Sequence, residues 1–531
     1  MRLHLLLCAL LAPAPLAPAA SALRNPGLWP LPLSVHLSPH LLHLSPETFR
    51  ISHHPASTLG PFCTLLQKAF LRYHGYIFGA HKTRHRSPRL NKHGQLQQLT
   101  ALVVQDSECD AFPSISSDES YALNVSGSVA VLKANEVWGV LRGLETFSQL
   151  IYEDSDRKFT INEACITDSP RFPHRGILID TARHYLPVKT ILKTLDAMAM
   201  NKFNVLHWHI VDDQAFPYQS ATFPQLSKKG SYTLTHVYRP KDVREVIEFA
   251  RRRGIRVLPE FDTPGHTQSW GKGQKNLLTV CDAKEKFSTV YGPINPALNS
   301  TYTFLSRLFA EISRVFPDEF IHLGGDEVDL LCWKSNAEIQ KFMKQNKRFK
   351  DVRELESFYI QKVLNIISTL KKRPIIWQEA FDDHAKLHPD TVVQVWINRD
   401  YHLEQARVTA AGYPVLLSAP WYLDYINSGE DWRAYYAVEP LNFPGSERQK
   451  QLVLGGEACL WGEFVDATNL MPRLWPRASA VGERLWSNKE VSSTKEAYNR
   501  LTVHRCRMVR RGIAAQPLFT GYCDHEYNIE K

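Results

Sequence analysis

The chain has 531 residues, 44% of them hydrophobic and 22% charged, which excludes a disordered or fibrous protein and leaves room for two or three globular domains. Its 63 Lys and Arg against 54 Asp and Glu give a net charge of +9. The densest basic run, His81-Lys-Thr-Arg-His-Arg-Ser-Pro-Arg89, carries Pro88 and no interleaved aromatic residue, so it reads as a solvated loop and no nucleic-acid partner is expected.

The first residues, Met1-Arg2-Leu3-His4, an apolar run from Leu5 to Leu11 and small residues up to Ala22, have the pattern of a secretory signal covering residues 1–22. No later apolar run is long enough to span a bilayer. A soluble protein of the secretory route is therefore expected. Sequence spacing suggests three disulfides, Cys63 with Cys109, Cys281 with Cys332 and Cys506 with Cys523, leaving Cys165 and Cys459 as buried thiols. Asn124-Val-Ser and Asn299-Ser-Thr are glycosylation sequons.

Residues 23–168 read as a small α/β domain, sheet plus helix. Strands are expected over Glu47 to Ser52, Leu99 to Gln105, Tyr121 to Val125 and Ser128 to Lys133, and Asn135 caps a helix with Val137, Leu141, Leu144, Phe147 and Ile151 on one face. No chemical constellation stands out there. Residues 169–531 alternate strand and amphipathic helix, with strand-like runs beginning at Gly176, Asn204, Ile255, Phe320, Pro374, Thr391, Pro414 and Leu452. Eight such units make a (β/α)8 barrel, a TIM barrel, whose active site is built from the carboxyl ends of the strands.

Those ends share one chemistry. They read Asp180-Thr-Ala-Arg183, His207-Trp-His-Ile-Val-Asp212-Asp213, Glu260-Phe-Asp262-Thr-Pro-Gly-His266, Asp326-Glu327, Trp377-Gln-Glu379, Trp396, Trp421-Tyr422-Leu-Asp424 and Trp461-Gly-Glu463. Any one of these acids could be a surface carboxylate or helix cap, and any one tryptophan could be core. Together they describe flat apolar walls with carboxylates that accept hydroxyl hydrogen bonds, as a pyranose ring requires. At the fourth end Gly324 and Gly325 let the backbone leave strand geometry, so that Asp326 and Glu327 can face one ligand.

The motifs His-Leu-Gly-Gly-Asp326-Glu327, His-Trp-His-Ile-Val-Asp212-Asp213, Glu-Phe-Asp-Thr-Pro-Gly-His266 and Gly-Gly-Glu-Ala-Cys-Leu-Trp461-Gly-Glu463 resemble the family 20 β-N-acetylhexosaminidases, and within them the lysosomal enzymes of vertebrates. The resemblance implies an α/β domain before a barrel, no cofactor and no metal, and a retaining reaction in which the substrate's own 2-acetamido oxygen attacks the anomeric carbon. Glu327 would be the proton donor, its carboxyl raised by a tryptophan-lined pocket. Asp326 would orient the acetamido group, and Tyr422 would hydrogen-bond its oxygen. Arg183, Asp212 and Glu463 would hold sugar hydroxyls, Trp377, Trp396 and Trp461 would form walls, and His266 with Asp262 would orient the acids. Asp424, placed near the sugar's 6-position, would favour neutral over 6-sulfated substrates. A homodimer, or a heterodimer with a related alpha subunit that acts on ganglioside with an activator protein, is also implied.

The chain departs from the family pattern at Ala182, Tyr425 and Ser428 in Ile426-Asn-Ser428-Gly, where relatives carry a tyrosine that reaches a neighbouring subunit. Two other readings remain open at this stage. His207-x-His209 puts two imidazoles on one strand face, as in a metal-dependent barrel amidohydrolase, and a catalytically inactive sugar-binding protein would keep the aromatic walls without needing Glu327.

Overall fold

The computed structural model describes residues 27–79, 94–105, 108–154, 158–281, 291–346, 349–383, 385–425 and 430–523. The signal-like residues 1–22, the basic run 81–89 and Ser428 lie outside them. Two compact units emerge: one gathers the described residues up to Ala111 with Ser117–Arg171 and Lys495–Arg507, the other Phe112–Ser116, Phe172–Thr494 and the described residues from Met508.

In the first unit a seven-stranded sheet is built from Ser34–Leu44, Arg50–His53, Gln98–Val103, Tyr121–Ser126, Val129–Ala134, Tyr152–Glu153 and Phe159–Asp168. Helix Val137–Leu150 is buried along its whole length, and Leu65, Leu66, Ala69, Phe70, Tyr73 and Ile77 form the buried face of Thr64–Phe78. Ser34–Leu44 ends the strand order and slips register between Leu37 and Leu41, where Pro39 sits. Proline cannot donate to a ladder and is confined to such edges and irregularities. Asn124 lies in strand Tyr121–Ser126, and Asn299 is exposed at the start of helix Asn299–Val315.

The second unit holds a closed barrel of eight parallel strands: β1 (His174–Asp180), β2 (Val205–Val211), β3 (Arg256–Phe261), β4 (Phe320–His322), β5 (Arg373–Trp377), β6 (Val392–Val395), β7 (Val415–Leu417) and β8 (Val453–Leu460). Each starts within two residues of its expected position. Helices between them follow local rules: Ile191, Leu195 and Met198 bury one face of Val188–Met200, and Pro240–Arg251 starts with Pro240 behind a backbone cap from Asp242 to the Arg239 N–H.

Side chains two apart on a strand share a face, so the barrel interior is layered. Val205, Leu258, Phe320, Ile375, Val392 and Leu416 form an apolar floor. One step along the strands stand His207, Glu260, His322, Gln394 and Glu457, all fully buried. Leu178, Trp377, Tyr422, Cys459 and Trp461 cluster above them.

Cys63–Cys109 and Cys281–Cys332 are bonded, with Cα separations of 5.4 and 4.9 Å. Cys506 and Cys523 are each in a disulfide, and so is Cys165, which corrects the expectation of a thiol there. Pairing by nearness in sequence had no local partner to offer it. Cys459 is the free cysteine among the described residues, and it is buried. Among the described residues no helix is long and apolar enough to cross a membrane.

Candidate active site

Strand β4 stops at His322, and the chain then turns through Gly324 and Gly325 at φ of +69° and +99°. A side chain at Gly324 would also run into the carboxylate of Asp262, so both the backbone and the packing demand glycine there. The turn aims Asp326 into the barrel mouth. Glu327 follows at φ +50° with a side chain 62% exposed. Neither residue caps the next helix, Leu330–Ser335, because Asp329 accepts from the Leu331 and Cys332 N–H groups.

Asp326 and Glu327 meet at His266, whose Nε2 lies 3.5 Å from an oxygen of each. The other imidazole nitrogen, Nδ1, is 3.2 Å from Asp212. Burial opposes a charge on His266, but Asp326 and Asp262 outweigh it and hold the imidazole well above its usual range. Burial likewise works against ionisation of Asp326, and the His266 cation overcomes it, keeping Asp326 low. At Asp262, burial and the Asp326 charge outweigh the opposing pull of the His266 and His209 imidazoles and push the carboxyl well up.

Arg183 closes one side, with Asp180 at 2.8 Å, Asp212 at 3.0 Å and Glu463 at 3.3 Å, and with its guanidinium 5.2 Å above the Trp461 ring. Asp180 fixes this corner by accepting from the Ala182, Arg183 and Gly462 N–H groups. On the far side, the chain leaves β7 and pairs again with β8 through the Leu423 N–H to the Cys459 carbonyl and the Cys459 N–H to the Trp421 carbonyl. That graft sets Tyr422 facing Trp396 in a stacked pair, ring centroids 5.9 Å apart. Burial pushes Asp424 up to about 6, with Glu463 adding to it, and its Oδ1 has no hydrogen-bond partner.

The resulting pocket, about 170 Å³, is lined by Arg183, His266, Asp326, Glu327, Trp396, Tyr422, Asp424, Trp461 and Glu463, with Tyr425 at its edge. Asp212 and Trp377, expected to touch the sugar, lie one layer beneath. Asp212 is fully buried under Arg183 and His266, and Trp377 backs Trp396 and Trp461 while its indole donates to Glu260 at 2.9 Å. The tryptophan walls do not enclose Glu327.

The charged layer below was not legible as a unit. Its signal was there, since Glu457 interrupts the apolar run of β8 and Glu260 that of β3, but which histidines they meet depends on barrel closure. His207 sits between Glu260 at 2.9 Å and Glu457 at 2.7 Å, and His209 between Glu260 at 2.8 Å and Asp212 at 2.7 Å. Each ring nitrogen of both imidazoles thus lies within 2.9 Å of a carboxylate oxygen, an arrangement suited to ion pairing, and the contacts of His207 Nδ1 with Glu457 and of His209 Nε2 with Asp212 also have hydrogen-bond geometry.

An eight-stranded parallel barrel whose strand ends gather carboxylates, an arginine and stacked aromatics around a small polar pocket is the kind of site that a glycoside hydrolase uses. The chain belongs to glycosyl hydrolase family 20: the family's catalytic-domain model matches residues 172–489, and a model described as beta-acetyl hexosaminidase like matches residues 28–150. It is accordingly an enzyme of the β-N-acetylhexosaminidase class.

Beta-hexosaminidase subunit beta of Felis catus is 69% identical over 514 residues, 97% of each chain. The Homo sapiens subunit beta is 68% identical over 515 residues, 97% of this chain and 93% of that one. Subunit alpha of Bos taurus is 53% identical over 513 residues, covering 96% of this chain and 97% of that one. Among solved structures, a chitobiase from Flavobacterium johnsoniae superposes with a TM-score of 0.78 at 28% identity over 92% of this chain and 73% of that one.

Proposed function

We propose that the protein removes terminal, non-reducing β-linked N-acetylglucosamine and N-acetylgalactosamine by a retaining, substrate-assisted reaction in the lysosome. The observation that carries this reading is the split between two adjacent acids: Asp326 is buried and held ionised beside His266, whereas Glu327 stands at the open rim. A buried carboxylate beneath the sugar suits the acetamido N–H, and an exposed carboxyl at the mouth suits the leaving oxygen, which always carries the rest of the glycoconjugate.

In the first step the acetamido oxygen attacks C1 while the C1–O bond breaks, and Glu327 passes its proton to the departing oxygen. The Asp326 carboxylate accepts from the acetamido N–H as positive charge grows there, and the Tyr422 hydroxyl donates to the acetamido oxygen. In the second step Glu327, now a carboxylate, takes a proton from water as that water attacks C1 and reopens the ring. Arg183 and Glu463 bind ring hydroxyls, with Asp212 holding Arg183 and His266 from below; Trp396 and Trp461 are the walls, and Trp377 backs them. The test is proton NMR of the first-formed sugar from an aryl N-acetyl-β-glucosaminide. The β-anomer should appear first; initial release of the α-anomer would overturn retention.

The signal-like leader, the sequons, the disulfides and the likeness to hexosaminidase subunits support the lysosomal route. Likeness to both beta and alpha subunits supports assembly as a homodimer or with a related alpha subunit. Action on gangliosides with an activator protein rests on the family resemblance.

Charge selectivity at Asp424 should depend on pH. With its carboxyl raised to about 6, Asp424 is mostly neutral at pH 4.5 and ionised at pH 7. Two like charges about 5 Å apart repel by roughly 3 kcal/mol at an effective dielectric near 20, and about half of that remaining after screening is worth about tenfold. The preference for a neutral over a 6-sulfated aryl substrate, measured as a kcat/KM ratio, should therefore rise by about tenfold between pH 4.5 and 7 and lose that rise in Asp424→Asn. A ratio independent of pH would remove Asp424 from the 6-position.

A further inference from the structure

Barrel interiors are ordinarily filled with branched apolar side chains, and burying charge is unfavourable unless each charge is matched. Here a charged layer occupies the barrel centre, between the apolar floor and the tryptophans. Glu260 is its hub. One oxygen lies 2.9 Å from His207 Nε2 and 2.8 Å from His209 Nδ1, and the other accepts from Trp377 Nε1 at 2.9 Å and lies 3.2 Å from His322 Nδ1.

From this hub two lines run to the pocket. One is the Trp377 indole, which backs the walls formed by Trp396 and Trp461. The other passes through His209 to Asp212 at 2.7 Å, to His266 at 3.2 Å and on to Asp326 at 3.5 Å. Charges alternate along that line. Burial opposes a charge on His207 and His209, but neighbouring carboxylates outweigh it, carrying His207 to about 9 and His209 well above its usual range. Burial would also raise Glu260, and the His322, His209 and His207 imidazoles outweigh it and hold Glu260 far below.

We propose that Glu260 is a positioning residue for glycoside hydrolysis, one buried carboxylate that fixes both the aromatic wall and the imidazole–carboxylate row ending on Asp326. This rests on the role given above to Asp326 in orienting the acetamido group. Glu260 touches no substrate atom, so its effect must pass through geometry and through charge. Asp326 is faced by His266, Asp262, Glu260, Glu379 and Tyr422. Among these the Glu260 charge opposes ionisation of Asp326 and the His266 cation favours it.

Two variants separate the contributions, and kcat/KM on an aryl N-acetyl-β-glucosaminide is measured against pH for each. Glu260→Gln removes the charge. It should lose at least about tenfold at the optimum and move the acid limb of the profile to lower pH, because the group opposing ionisation of Asp326 is gone. Glu260→Asp keeps the charge but withdraws it by about one C–C bond, 1.5 Å. It should lose activity by a similar factor with the acid limb in place, a signature that partial unfolding does not explain if circular dichroism shows the native fold. If Glu260→Gln does not fold, Glu260→Asp alone decides.

Wild-type kcat/KM in the folded Asp variant, or a drop in Glu260→Gln with an unmoved limb, would overturn the proposal. Asp326→Asn is assayed beside them. If it keeps full activity, the acetamido role itself fails; if it is crippled while the Glu260 variants are normal, only the positioning role fails.

Discussion

Glu327→Gln should lose about 10²–10⁴-fold in kcat/KM on substrates with poor leaving groups, roughly 3 to 5 kcal/mol of transition-state stabilisation, and far less on a dinitrophenyl glycoside. A dinitrophenolate departs without a proton, so the donor is superfluous for it. Asp326→Asn should instead depress both substrates alike, by about 10²–10³-fold, because in the proposed mechanism the acetamido group cyclises whichever aglycone leaves. The structure gives these neighbours different surroundings, one buried against His266 and one exposed at the rim. Equal losses on both substrates in the Glu327 variant would deny it the role of acid.

Stability should be greatest in mild acid and fall toward neutral pH. Burial, aided by the Asp326 charge, pushes Glu379 up to about 8, and burial with Asp383 nearby pushes Glu356 up to about 8. Below the unfolded carboxyl value both groups are protonated in either state, and their contribution is fully present. As pH climbs toward 8 the unfolded chain ionises and the folded one does not, so each group costs about 1.4 kcal/mol per pH unit. From pH 5 to pH 7.5 the pair should remove on the order of 5 kcal/mol and lower Tm by roughly 5 to 10 °C.

His207, raised to about 9, acts in the same direction above its unfolded value. In strong acid the order reverses. Burial would raise Asp212 and Glu457, but their histidine partners outweigh it and hold both far below the usual carboxylate range. Their contribution is lost as pH falls through those low values. Glu379→Gln with Glu356→Gln should flatten the neutral-side fall; a double variant with the wild-type pH dependence of Tm would refute this origin.

The barrel was legible because each strand run is short, apolar and followed by a helix of clear period, and its carboxyl ends were legible because acids and tryptophans recur there. Four elements of the first unit were not: Ser34–Leu44, Thr64–Phe78, Tyr152–Glu153 and Phe159–Asp168. Ser34–Leu44 carries Pro39 at a register slip, which hides a strand, and Thr64–Phe78 begins at Cys63 with no side-chain cap to mark it. In the site, spacing placed Asp212 and Trp377 at strand ends but could not tell the pocket surface from the layer beneath. Nor could it show that Glu260, Glu457 and three histidines from separate strands close into one charged layer, since residues far apart in sequence become neighbours only when the barrel does.

In the proposed mechanism the substrate's own acetamido group is the nucleophile. Its test is kcat on aryl β-glucosaminides bearing acetyl, fluoroacetyl, difluoroacetyl and trifluoroacetyl groups on the nitrogen, with the leaving group unchanged. Each fluorine draws electrons from the attacking carbonyl oxygen. The rate should fall steadily along the series, by about two orders of magnitude or more at its end. A rate indifferent to fluorination would mean that a protein carboxylate or an activated water performs the attack, and would contradict the mechanism assigned to Asp326 and Glu327.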